Sequence, residues 1–252
     1  MALIVNTLPA AAGVGFVRDG WKLFKRQPLG LPAMTVIYLT LRFLPLLLIP
    51  YLGLAISTLL APFAVVGMMN VCRDVAQGRA PLPSAFGRAF ADAPWRRELL
   101  RLGLIHMSIS VAAGLLIALA MPRVDGTDPS WHELLMAIPA WLISFALVVE
   151  LVVLMLMWFS PLCVAWHGEP AVKGLFFSLV AVWRNRGAFL LLGAALLLVV
   201  FAVSQLGALV VLALPSAELA GLVLAPLALL LLAFIQCAAY ASYEAVVAQA
   251  AA

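Results

Sequence analysis

Long apolar runs alternate with short polar connections along this chain, and six of the runs are long enough to cross a bilayer. A hydrocarbon core about 30 Å thick needs roughly 20 apolar residues in a helix. The stretches at 30–50, 52–72, 99–121, 133–160, 187–213 and 218–241 meet that length. Pro62, Pro139 and Pro226 fall in the second, fourth and sixth, and in membrane helices proline leaves a kink rather than an end. Between the runs the pattern becomes amphipathic. Residues 14–26 place Phe16, Val17, Trp21 and Phe24 on one helical face, with Arg18, Lys22, Lys25 and Arg26 on the other. Residues 82–92 set Leu82, Phe86, Ala89 and Phe90 against Arg88 and Asp92. Residues 170–185 carry Val172, Leu175, Phe176, Leu179, Val180 and Trp183 at the i, i+3, i+4, i+7 spacing of a one-sided helix, and Pro170 suits its first position.

Each amphipathic segment precedes two spans, and the second span of each pair carries the proline. The prediction is an all-α polytopic membrane protein with six transmembrane helices in three hairpins, each introduced by an interfacial helix. This recurring order of elements reads as three diverged copies of one unit, and the first and last hairpins also share a phrase, "LLAPFAVV" at 59–66 and "VLAPLALL" at 223–230.

Composition agrees. The chain is 66% hydrophobic and 10% charged, against about 45–50% and roughly 25% for soluble domains, so its natural solvent is lipid. Sidedness follows from the cations. Thirteen of the 15 Lys and Arg lie before the first span or in the connections after the second and fourth. Lys and Arg favour the cytoplasmic side, so both termini are expected in the cytoplasm. The N-terminus has no cation before Arg18 and no continuous apolar run, which argues against a cleaved signal and for an uncleaved first span. Trp21, Lys25 and Arg26, then Trp95, Arg96 and Arg97, then Trp183, Arg184 and Arg186 are expected anchors at the headgroup layer. Their natural partners are anionic phospholipid headgroups rather than nucleic acid.

Two segments carry a resemblance. "FSPLCVAWHGEPAVKGLFFSLVAVWRNRGAFLL" at 159–191 resembles the signature segment of a family of uncharacterised proteobacterial integral membrane proteins, and "WKLFKRQPLGL" at 21–31 resembles that family's N-terminal segment. "ASYEAV" at 241–246 is compatible with its end. The arrangement is also similar to YciC-like inner-membrane proteins and to the membrane domain beside some glycerophosphodiesterases. The resemblance implies an inner-membrane protein of about six helices and carries no catalytic or ligand-binding residue.

Candidate chemistry is sparse. Arg42 lies about 12 residues into the first span and Glu150 about 10 residues from the cytoplasmic end of the fourth, roughly 18 and 15 Å deep at 1.5 Å per residue. Intramembrane charges are functional candidates by default, so the two are expected to pair across the bundle; the alternatives are an Arg42 that snorkels and a Glu150 held neutral. Gln205, Gln236, Asn70, Ser108 and Ser110 suit interhelical hydrogen bonds, and Gly103, Gly114, Gly193 and Gly207 suit close helix approach. Cys72, Cys163 and Cys237 fit no disulfide framework or zinc spacing. Cys163 and His167 share a helical face but match no recurrent ligand set, so neither a metal nor another cofactor is expected. Phosphate loops, GxSxG and HExxH are absent from the sequence, and no polar cluster at one interface suggests an intramembrane lipid enzyme. The reading is a non-enzymatic accessory or scaffold protein, or a lipid binder, acting alone, as a homo-oligomer or beside a membrane partner. The alternative is a small-molecule or ion transporter with its pathway at Arg42 and Glu150.

Overall fold

The computed structural model describes residues 3–49, 52–91, 93–121, 138–214 and 216–249. The acidic connection containing Arg123, Asp125, Asp128, Trp131, His132 and Glu133, the first residues of the fourth predicted span and Asp92 lie outside them.

The order is β1 (Leu3–Val5), α1 (Ala12–Phe24), α2 (Gly30–Leu48), α3 (Gly53–Ala76), α4 (Ser84–Ala91), α5 (Ala93–Ala120), α6 (Ala140–Met157), α7 (Ser160–His167), α8 (Ala171–Arg184), α9 (Arg186–Ala213), α10 (Ala217–Val246) and β2 (Val247–Gln249). Among the described residues, six helical stretches are long and apolar enough to span a membrane: α2, α3, α5, α6 with α7, α9 and α10. The protein is an all-α polytopic membrane protein. Pro62 and Pro226 sit inside unbroken helices. The fourth span differs from expectation. Pro139 precedes α6 in extended backbone at its N-cap, and the break comes instead at Trp158–Phe159, after which α7 starts with Pro161 in its first turn. Proline lacks an N–H, and a helix's first turn is where that donor is not missed.

Successive spans pack as neighbours: α2 on α3, α5 on α6, α9 on α10. The short amphipathic helices do something the sequence pattern does not specify. Each docks chiefly on the hairpin before its own, counted around a ring: α4 on α3, α8 on α7 and α6, and α1 on α10 and α9. The chain therefore closes on itself. At the seam β1 pairs antiparallel with β2, Leu3 opposite Gln249, so both termini lie at one end of the bundle. Asn185, between α8 and α9, accepts from Leu8 N at 2.8 Å and donates to Asn6 O at 2.9 Å.

Between helices in lipid there is no hydrophobic drive, because acyl chains are as apolar as leucine, so close packing must hold the bundle. Gly20 of α1 lies so near α10 that an added Cβ would stand 2.5 Å from Ala238 Cα. Gly103 of α5 likewise meets the Leu59 carbonyl of α3 at 2.2 Å. Gly207 lies at a looser crossing, whereas Gly114 and Gly193 have nothing within 4 Å among the described residues and mark no close crossing. Tight packing concentrates at the end carrying the termini and most cations. Helix α3 is the hub there, with Phe63, Val66, Met68, Val71 and Val75 buried against Phe159, Leu162 and Val164. Towards the other end the spans expose their side chains; α9 buries only Ala188, Leu192 and Gly207.

Candidate functional site at the basic end of the bundle

The last turns of α3, "NVCRDVA", build the most polar part of the fold. Asp74 is buried, and its two oxygens are divided between two arginines: Oδ1 accepts from Arg79, and Oδ2 from Arg88 of α4 at 2.5 Å. A left-handed turn at Gly78 (φ 76°) brings Arg79 back, its N–H donating to Asp74 O at 2.8 Å. Asn70, one helical turn earlier, donates to Ala85 O at 3.1 Å and accepts from Trp166 Nε1 of α7 at 2.8 Å. Arg73 lies with its guanidinium carbon 4.9 Å from the Trp166 ring centre, a cation–π distance. Across from it, His167 Nε2 and Tyr243 OH share a 2.5 Å hydrogen bond. Arg26 donates to Ala76 O at 2.8 Å, satisfying one of the free carbonyls at the end of α3.

Two concavities meet at Arg73 and Trp166. One, a cleft of about 400 Å³, is lined by Asn70, Arg73, Asp74, Gln77, Arg79, Arg88, Trp95 and Trp166 among others. The second, about 220 Å³, adds His167, Tyr243, Glu244 and Val247. The expectation that no polar cluster stands at one interface is corrected by this arrangement. Its members come from four separate stretches of chain and converge only when α3, α4, α7 and α10 pack. The sequence signal was a lone acid, Asp74, inside the most basic connection.

A third concavity is of another kind. It opens sideways between α1, α9 and α10, encloses about 580 Å³, and is apolar, with Val14, Val17, Phe24, Val203, Leu227 and Phe234 in its wall and Arg18 and Trp21 at its edge.

The expected pair of Arg42 and Glu150 does not form. Arg42 donates from Nη1 to Ser57 O at 2.7 Å, and Ser57 Oγ donates back to Arg42 O, tying α2 to α3. Glu150 is exposed on α6, which packs against α5, α7 and α8, while α2 packs against α3 and α10. Equal depth sets height but not direction, and these helices are not neighbours. Among the described residues no group of three His, Cys, Asp or Glu is placed to hold a metal, and Cys72, Cys163 and Cys237 are free and buried.

The nine expected anchors fall in different settings. Trp21 stacks on Phe24 at 5.5 Å, stands edge-on to Phe234, and has Lys25 6.0 Å from its ring centre. Trp95 is half-buried in the wall of the cleft, with Arg96 and Arg97 exposed beside it. Trp183 is exposed, with Arg186 5.7 Å from its ring centre and Arg184 exposed next to it.

No protein-family model matches the chain, and no solved structure matches it significantly. Among curated proteins, one of Burkholderia thailandensis described as a probable inner membrane protein is 33% identical over 256 residues, covering 95% of this chain and 93% of that protein. With that identity over nearly the full length of both, on a fold of six apolar spans, the chain belongs to the family of that inner membrane protein.

Proposed function

We propose that this protein is a non-enzymatic lipid-binding accessory of the bacterial inner membrane, holding one phospholipid by its acyl chains in the lateral groove between α1, α9 and α10. The groove itself is the observation that supports this most. Its volume of about 580 Å³ falls within the roughly 300–1,000 Å³ typical of small-molecule sites, and it opens towards the spans' exposed sides. An acyl chain gains no hydrophobic free energy by leaving bulk lipid for such a wall. An empty groove, however, forfeits dispersion contacts along its whole lining, so a chain fills it. Preference among lipids then falls to the edge, where Arg18 and Trp21 suit an anionic headgroup.

In this reading the end with both termini and most cations faces the cytoplasm, as the Lys and Arg bias requires. The exposed Val172, Phe176 and Trp183 stripe of α8 lies in the headgroup layer. The narrower likeness to YciC-like proteins and to glycerophosphodiesterase-associated domains fits an accessory role of this kind. Transport at Arg42 and Glu150 is disfavoured by their separation.

The test uses phosphatidylglycerol carrying a photoactivatable group on its acyl chain, reconstituted with the full chain in vesicles. Crosslinks are expected to concentrate on the peptides bearing Val14, Val203 and Leu227. Labelling that instead follows exposure alone, heaviest on faces such as Leu147, Val148 and Leu151 of α6, would sink the proposal.

A further inference from the structure

We infer that the cleft at the end of α3 is a binding site for a phosphate group, separate from the acyl-chain groove. Three guanidiniums line it, those of Arg73, Arg79 and Arg88, against the single carboxylate of Asp74. The lining therefore carries two net positive charges. Asp74 does not cancel the site so much as aim it. With one oxygen on each partner, it fixes Arg79 and Arg88 side by side, and both side chains remain about half exposed, at 55% and 51%. A guanidinium has five N–H donors. Arg88 commits one nitrogen to Asp74, and Arg79 commits two to the same oxygen, so both keep donors for a ligand.

Arg73 is held differently, over the face of Trp166, whose own N–H is fixed by Asn70. No carboxylate pairs with Arg73 among the described residues' ion pairs. Several donors converging from α3, the turn after it and α4 onto a walled cleft of about 400 Å³ match a group with several acceptor oxygens. Arginine is the side chain whose planar fork meets phosphate in pairs of hydrogen bonds. Gln77 adds an exposed amide at the rim, and Trp95 and Trp166 supply flat walls for whatever carries the phosphate. None of these residues lines the lateral groove. The phosphate could belong to a lipid headgroup or to a small phosphate ester from solution; the cleft's chemistry is the same for both.

The experiment uses the full chain in nanodiscs with two arms. In one, the bilayer is phosphatidylcholine and glycerol 3-phosphate is titrated from solution. In the other, phosphatidylglycerol is titrated into the bilayer and no soluble phosphate ester is added. Binding is read by native mass spectrometry and by the shift in unfolding temperature. Saturable binding in either arm, weakening as salt rises, is expected, and the responding arm names the source. Arg73→Gln should weaken it by about tenfold or more, since a charge-assisted contact is lost. Because Arg73 also packs on Trp166, a second variant is needed. Gln77→Glu changes an exposed side chain and adds a repelling charge at the rim, and should weaken binding about fivefold or more with the unfolding temperature unchanged. No saturable binding in either arm, or binding that Gln77→Glu leaves unaltered, overturns the assignment. Phosphatidylglycerol binding lost in Val203→Trp but kept in Gln77→Glu would place that lipid in the groove alone, and together with no saturable glycerol 3-phosphate binding in the other arm it would overturn the assignment.

Discussion

Asp74 has little room to be anything but a ligand for arginine: its side chain is 6% exposed and both oxygens are taken. Removing one partner of a buried polar pair leaves the others uncompensated. With Arg79 and Arg88 open to solvent, screening moderates the effect, and Asp74→Ala is expected to lose about 1–3 kcal/mol in a denaturant titration in mild detergent. Asn185 is the cleaner case. It is 1% exposed and links the N-terminal segment to the α8–α9 junction through Leu8, Asn6 and Ala181. Asn185→Ala should destabilise the fold by about 1–3 kcal/mol and raise proteolysis of the first ten residues, whereas a variant as stable as the parent would contradict the latch. At this scale the sequence was least informative. Asn70 stood out as an interhelical hydrogen-bonding residue and bonds to α4 and α7, but Asp74 and Trp166 are ordinary letters until α3 and α7 meet, and Asn185 bonds across 177 and 179 positions of chain. The two charges that did stand out, Arg42 and Glu150, stood out for their depth, and depth says nothing about which way a helix turns its side chains.

At the scale of elements the sequence was far more legible. Among the described residues the apolar runs and the three amphipathic stretches fall on helices, although α5 begins at Ala93 rather than at 99 and the fourth run breaks at Trp158–Phe159, because in hydrocarbon a backbone must satisfy its own hydrogen bonds and helix is the available form. What periodicity could not give is the docking partner. An amphipathic pattern does not say which side will dock: α1, α4 and α8 pack on the preceding hairpin, and α8 does so through Gly174, Leu175, Ser178 and Ala181 while Val172, Phe176 and Trp183 of its predicted apolar face stay exposed. Gly20 tests that arrangement. Gly20→Val must move α1 off Ala238, and overpacking of this sort costs about 1–3 kcal/mol. Gly15→Ala, with nothing within 4 Å, is expected to be nearly neutral in the same unfolding assay. Equal effects from the two would mean that α1 does not dock on α10.

For the whole molecule, the packing is polarised: a tight, polar-laced end that holds the terminal segments, and spans whose side chains are largely exposed towards the other. All three thiols lie in the tight part at 0% exposure. A membrane-permeant maleimide should therefore label none of them in native membranes and three per chain after denaturation, counted by intact mass; native labelling would mean that end is loosely packed. The polarity also explains why a lateral groove exists. Helix α1 wedges between α9 and α10 at the tight end and holds the two spans apart there, while they approach each other again at Gly207 and Leu224. The central claim, that this groove holds a phospholipid, is tested most directly by counting lipid. Native mass spectrometry of the protein purified in mild detergent should find one phospholipid retained per chain, and Val203→Trp, which intrudes into the groove, should remove it while the variant still unfolds cooperatively, its unfolding temperature no longer raised by added phospholipid. A wild-type protein stripped of lipid, or a variant that retains it equally, would contradict the account.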